Sequence, residues 1–293
     1  MQASGLFRRL SIATVLITFG HLLFGNIVSG TESGMGCGPH WPLCRGQLFP
    51  PLTDPALVIE WTHRLFAMLV GLSIIATMTV AWRRERAFLK LALYSLVLVI
   101  IVGVFGGITV LLDLPKAVST AHFALGTLLF GVLVVLATKA HAPVSPQTLS
   151  GVHRWALVSV ILIYLQAVLG AYVRHSQAGM ALPLWPFLTF FPNLAISPIA
   201  HQWSHRLLAL LVLGVVALTA ARAIKSGYAV LGISSVVLVL VQIALGVLTV
   251  WSLLNPIVAM LHLAGALALL STQIVLTVRA WPSYARVAEV RAS

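Results

Sequence analysis

Eight long apolar runs, separated by short polar segments, set the pattern of the chain. They fall at 8–28, 58–81, 88–111, 117–139, 152–173, 200–222, 227–251 and 257–280. Each is close to the ~20 residues that carry a helix across a bilayer. The first run follows Arg8 and Arg9 and so has the outline of a signal peptide. No clean small-residue cleavage site follows it, and its internal counterpart at 152–173 cannot be a signal, so it is read as a span.

Runs one to four align with runs five to eight. GNIVSGTESGM (25–35) matches GAYVRHSQAGM (170–180), and GGITV (106–110) matches GVLTV (246–250). Four spans per half give both halves the same orientation, so the repeat is parallel, about an axis along the membrane normal. The expected fold is an all-α integral membrane protein. Its eight transmembrane helices form two tandem, pseudo-symmetric four-helix bundles, residues 1–140 and 141–293.

Composition agrees: 60% of residues are hydrophobic and 8% charged, where a soluble domain carries about a quarter charged residues. The formal charge of +12 does not point to nucleic acid, because the basic residues sit between apolar runs and not on one polar face. They read as topology signals. Thirteen (Arg8, Arg9, Arg83, Arg84, Arg86, Lys90, Lys139, Arg154, Arg222, Lys225, Arg279, Arg286, Arg291) fall on one side. Five (Arg45, Arg64, Lys116, Arg174, Arg206) fall on the other. Both termini are therefore expected in the cytoplasm, with Glu32, Asp54, Glu60 and Asp113 outside. The lack of a transit peptide and the short termini favour a prokaryotic plasma membrane.

Four histidines recur at matching places. His63 and His205 lie in EWTHRL and HQWSHRL, 142 residues apart; His122 and His262 lie in VSTAHFALG and VAMLHLAGA, 140 apart. Thr109 and Thr249 each precede their histidine by 13 residues. A histidine in a membrane span is costly unless it faces the bundle interior and has a task. Two such pairs suggest two equivalent pockets for a metal or a heme. His122 follows Pro115 by seven residues, roughly 10 Å down its helix, so the pockets open toward the outer leaflet. Gly25, Gly106, Gly170 and Gly246 are read as sites of close helix packing. His21, His141, His153 and His175 have no aligned histidine and are read as interface or loop residues. His201 lies one turn before His205.

The halves differ in two ways. The first outer loop holds the only cysteines, Cys37 and Cys44. Outside the cytoplasm they could pair; with His40 they make an incomplete metal set. The second outer loop has Leu182 and Thr189 at those positions and carries Trp185, Phe187, Phe190 and Phe191, an apolar lid. Secondly, Glu60 precedes His63 by three residues, on the same helix face. Its counterpart is Gln202. An acid there can exchange a proton and an amide cannot. The plainer reading of Glu60 is a helix N-terminal acid favoured by the dipole. Arg64 and Arg206 fit either snorkelling to headgroups or binding heme propionates.

The segment TESGMGCGPHWPLCRG, the ExxH from Glu60 to His63, the two HR pairs and the duplicated four-histidine plan resemble the heme A synthase family, over nearly the whole chain. The resemblance implies oxidation of the C8 methyl of heme O to a formyl group, giving heme A for terminal oxidases. The route is successive hydroxylation to a gem-diol that loses water. It implies that His205 and His262 ligate the iron of a cofactor heme b, and that His63 and His122 line the heme O site as iron ligands and catalytic residues. It gives Glu60 a catalytic role and Cys37–Cys44 a disulfide. This chain departs from many members in lacking a second cysteine pair. Such an enzyme needs an electron donor, which the sequence leaves unnamed, and a supply of heme O, which makes the heme O synthase a candidate partner. The alternative is a diheme b-type electron-transfer cytochrome, disfavoured because all four histidines lie near one face. A transporter with a histidine proton relay is disfavoured by the scarcity of other ionisable residues in the spans.

Overall fold

A computed structural model describes residues 3–141, 151–182 and 198–282. The helices are α1 (Gly5–Gly30), α2 (Pro55–Arg84), α3 (Leu89–Leu111), α4 (Lys116–His141), α5 (Val152–His175), α6 (Pro198–Lys225), α7 (Ala229–Trp251) and α8 (Pro256–Arg279). All eight are long and apolar enough to cross a membrane. Each overlies an expected span, and α1, α2 and α8 start ahead of theirs, each behind a polar residue that caps it. Asp54 accepts from the Ala56 N–H ahead of Pro55, and Asn255 accepts from the Ile257 N–H ahead of Pro256. Proline at the first helical position suits a start, since it has no N–H to leave unpaired.

Helix α1 packs on α2 and α4, and α3 on α2 and α4; α5 packs on α6 and α8, and α7 on α6 and α8. The two sets meet through α1–α8, α4–α5 and α4–α8. Helices α1, α4, α5 and α8 thus occupy the centre, and α4 is the most enclosed of the eight. Phe130 and Val134 of α4 join Ile163, Val216, Val239 and Leu267 in the main core. The flanking helices turn apolar rows outward, such as Leu69 and Leu72 on α2, Val97, Ile100 and Val104 on α3, and Leu207, Leu210 and Leu211 on α6. These are the faces that lipid covers.

Lipid provides no hydrophobic drive between helices, so small and polar residues do much of the joining. Thr14 of α1 hydrogen-bonds Thr77 of α2 at 3.0 Å, and at the aligned positions Ser159 of α5 bonds Thr219 of α6 at 3.0 Å. Gln273 of α8 donates to Ser235 of α7 at 2.7 Å. The α3–α4 and α7–α8 turns also correspond. Asp113–Leu114 and Leu253–Leu254 all take left-handed φ values of 55–63°. Leu114 then covers Gly34, and Leu254 covers Gly179.

Removing the hydroxyl pair between α1 and α2 should cost little but measurably. In a double-mutant cycle of Thr14→Val and Thr77→Val, followed by unfolding in mixed micelles, the coupling should be about 0.6 kcal/mol. No coupling would mean that the two helices are held by packing alone.

Candidate functional site

All four repeated histidines sit in the same kind of slot. The preceding helix presents a glycine to the imidazole edge. A methyl group on Gly25 would lie 3.0 Å from Cε1 of His63, and one on Gly106 would lie 3.0 Å from Cε1 of His122. In the second half the distances are 2.9 Å for Gly170 against His205 and 3.3 Å for Gly246 against His262. These glycines do allow close approach, as the sequence suggests, and what they admit is a histidine ring. His63 and His122 stand on helices that both pack against α1 and α3, and His205 and His262 on helices that both pack against α5 and α7. Each expected pair therefore falls within one set of four helices.

The residue one turn before each glycine touches the same ring. On α3 this is Val102, whose carbonyl lies 3.0 Å from Nδ1 of His122. A carbonyl only accepts, so Nδ1 carries the proton and Nε2 keeps its lone pair for a ligand. His262 faces the carbonyl of Gln242 on α7 without reaching hydrogen-bond geometry. On α5 the side chain of Gln166 donates to the His205 carbonyl at 2.9 Å, with the same nitrogen 3.4 Å from Nε2 of the ring. On α1 it is His21, whose ring stacks on His63 at 4.3 Å between centroids and 11° between planes. His21 thus lies inside the first bundle beside a repeated histidine, which corrects its assignment to an interface or loop. The lack of an aligned histidine hid it, because its counterpart is Gln166.

The 31–54 loop closes the first set of helices at the histidine end. Cys37 and Cys44 form a disulfide, and both are buried against Leu57. They are therefore not metal ligands with His40. Trp41 lies over Gly107, the neighbour of the glycine that seats His122, and a methyl group there would come within 2.7 Å of its indole. Arg64 donates to the carbonyls of His40 and Leu43 at 2.8 and 2.9 Å, and its other terminal nitrogen pairs with Oε1 of Glu60. Oε2 of Glu60 accepts the Cys37 N–H at 2.7 Å.

Glu60 is 3% exposed and lies in the second turn of α2, where Asp54 already caps the start. The dipole falls off within the first turn, so the plain N-terminal reading does not account for this residue. In the second half Gln202, 5% exposed, donates to the carbonyl of Gly179, and Arg206 donates to the carbonyl of Leu182 at 2.6 Å. Both arginines thus grip outer-segment carbonyls, a task that neither headgroup nor propionate binding anticipates.

The remaining histidines have other partners. His175 bonds Thr120 at 3.0 Å across the α4–α5 seam, and the neighbouring Arg174 donates to the Ser29 carbonyl of α1 at 2.9 Å. His141 bonds the Ala137 carbonyl at its own helix end, His153 packs edge-on to Trp281, and His201 packs edge-on to Tyr172. Trp185, Phe187, Thr189, Phe190 and Phe191 of the expected lid lie outside the described residues, as do Arg286 and Arg291.

The pockets suit a heme better than a bare ion. Among the described residues no three His, Cys, Asp or Glu side chains gather as a metal-ligand group, whereas a heme asks the protein only for axial ligands. The Nδ1 atoms of His63, His205 and His262 are buried without a hydrogen-bond partner, and buried polar atoms are seldom left so.

Residues 8–274 match the family model COX15-CtaA, cytochrome oxidase assembly protein. Among similar proteins is the heme A synthase of Geobacillus thermodenitrificans, 33% identical over 270 residues, which span 86% of this chain and 84% of that one. Those of Geobacillus kaustophilus (31%, covering 85% and 84%) and Halalkalibacterium halodurans (32%, covering 86% and 88%) are similar to it over the same extent. With a match that enters every one of the eight helices, the chain belongs to the COX15-CtaA family of cytochrome oxidase assembly proteins.

Proposed function

We propose that the protein oxidises the C8 methyl of heme O to a formyl group, yielding heme A, in a first half (1–140) that takes the substrate, served by a second half (141–293) that holds heme b. Its eight apolar helices and bacterial relatives make it a multi-pass protein of the plasma membrane. Both substrate and product are apolar macrocycles that partition into that membrane.

One contrast carries the assignment of chemistry to the first half. Both halves tie the outer segment to the helix one turn before the histidine. Gln202 does so with a neutral amide, on the Gly179 carbonyl. The tie therefore needs no charge. Glu60 does it with a carboxylate, nearly without solvent contact. A buried charge is costly unless paired, and Arg64 supplies the pair. What the acid adds over the amide is proton exchange. Glu60 is thus the group that holds or takes a proton as the methyl carbon is oxidised. Its Arg64 and Cys37 bonds aim it.

In the second half His205 and His262 would hold heme b, and in the first His63 and His122 would face heme O. Hydroxylating an unactivated methyl is beyond side chains, and heme b supplies the redox capacity when bound. Arg64 and Arg206 would bind the propionates, sharing donors now bonded to the loop carbonyls. The 31–54 loop excludes water from the first pocket. The excess of basic residues at the opposite end supports cytoplasmic termini and pockets near the outer face. Heme O is poorly soluble in water, which favours direct transfer from the heme O synthase; an electron donor completes the partners.

Glu60→Gln keeps an acceptor for the Cys37 N–H, so heme content should stay normal while heme A formation drops by about 100-fold or more. Retained activity would remove Glu60 from the chemistry. His205→Ala and His262→Ala should each abolish the low-spin heme b spectrum; a normal spectrum from both would move the cofactor to the first half. Cys37→Ser should lower turnover more than it lowers the folded yield, because the loop that holds Glu60 loosens; full turnover would leave the disulfide without a catalytic role.

A further inference from the structure

We propose that His21 is a positioning residue for His63, setting the plane of its imidazole in the first pocket. This rests on the reading of His63 as a heme-facing ligand. His21, Phe24 and Gly25 lie at i, i+3 and i+4 on α1 and so share one face. All three meet the His63 ring. Gly25 borders its Cε1 edge, with room for no more than a hydrogen. His21 covers its face at 4.3 Å, and Phe24 lies near-parallel at 6.4 Å with a tilt of 15°. Phe24 is itself held by Phe66, one turn beyond His63, at 5.5 Å. The result is a slot of aromatic rings with a glycine at its edge.

The His63 ring has no other restraint of this kind. His122 is oriented by a hydrogen bond to the Val102 carbonyl, and Gln166 touches both ring and backbone of His205. Nδ1 of His63 makes no hydrogen bond, and neither does Nδ1 of His205 or His262; what His63 has in addition is the stacked His21 ring. A ligating imidazole is ordinarily fixed by a hydrogen bond at its other nitrogen, and losing such support weakens metal binding. In the first pocket a stacked ring stands where that bond is missing. The position four residues before the glycine thus faces the repeated histidine in both α1 and α5, by stacking in one and by an amide in the other.

The test uses full-length protein purified from cells that make heme O, comparing His21→Leu and His21→Phe with the unaltered chain. Two readouts serve: the ratio of non-b heme to heme b on extraction, and the low-spin paramagnetic resonance signal of each heme. Leucine fills space but cannot stack. His21→Leu should retain non-b heme about tenfold less well and shift or broaden the first-pocket signal, with the heme b signal unchanged. His21→Phe restores a flat ring and should recover both. An unchanged first-pocket signal and ratio in His21→Leu would overturn the proposal. Loss of both heme signals would also overturn it, since His21 would then be a general packing residue. His63→Ala separates the two levels. If it leaves the first-pocket signal intact, the ligand reading of His63 fails and the positioning role falls with it. If His63→Ala abolishes the signal and His21→Leu does not alter it, the positioning role alone is wrong.

Discussion

An imidazole between membrane helices needs space for a flat ring and something to orient its nitrogens, and hydrocarbon offers neither water nor slack. The chain meets that demand four times with the same device. A glycine on the preceding helix brings the backbone against the ring edge, within 2.9–3.3 Å of where a methyl group would stand. The contact fixes how closely α1 approaches α2, α3 approaches α4, α5 approaches α6, and α7 approaches α8. Threonine and serine pairs farther along α1–α2 and α5–α6 hold the same helices at the same spacing. The helix packing and the site are therefore one arrangement, since a change at Gly170 moves both His205 and the α5–α6 seam.

Given matched slots, the difference between the halves lies in what closes them. The first is covered by a disulfide-tied loop whose Trp41 reaches the α3 glycine pair and whose backbone is bound by Glu60 and Arg64. The second ties its outer segment with Gln202 and Arg206. Both ties run from the residue one turn before the histidine to the outer segment, but Glu60 accepts a backbone N–H as a carboxylate and Gln202 donates to a backbone carbonyl as a neutral amide. An amide cannot exchange a proton and a carboxylate can, so the two closures differ in the chemistry open to them.

Much of this was legible in the sequence. Apolar runs of near-bilayer length gave all eight helices, because a span must satisfy its backbone within itself. The duplicated histidines and glycines marked the slots. The environment of single side chains was less legible. Glu60 also admitted the plainer reading of an N-terminal acid, since the start of α2 at Pro55 follows from a capping aspartate that hydropathy does not register. His21 was misplaced because a repeat comparison finds identity, and its counterpart Gln166 performs a related task with different chemistry. Arg64 and Arg206 were weighed against lipid and propionate, whereas Arg64 bonds Glu60 and the carbonyls of His40 and Leu43, and Arg206 bonds the Leu182 carbonyl, partners that a sequence does not locate.

The central claim is two unlike pockets in one duplicated frame. Mass analysis of heme extracted from the purified protein, produced alongside a source of heme O, tests it most directly. Two unlike pockets predict heme b together with heme O, its hydroxylated form or heme A on the same chain. Heme b alone, at two per chain while heme O is plentiful, would contradict the account and make the protein an electron-transfer cytochrome.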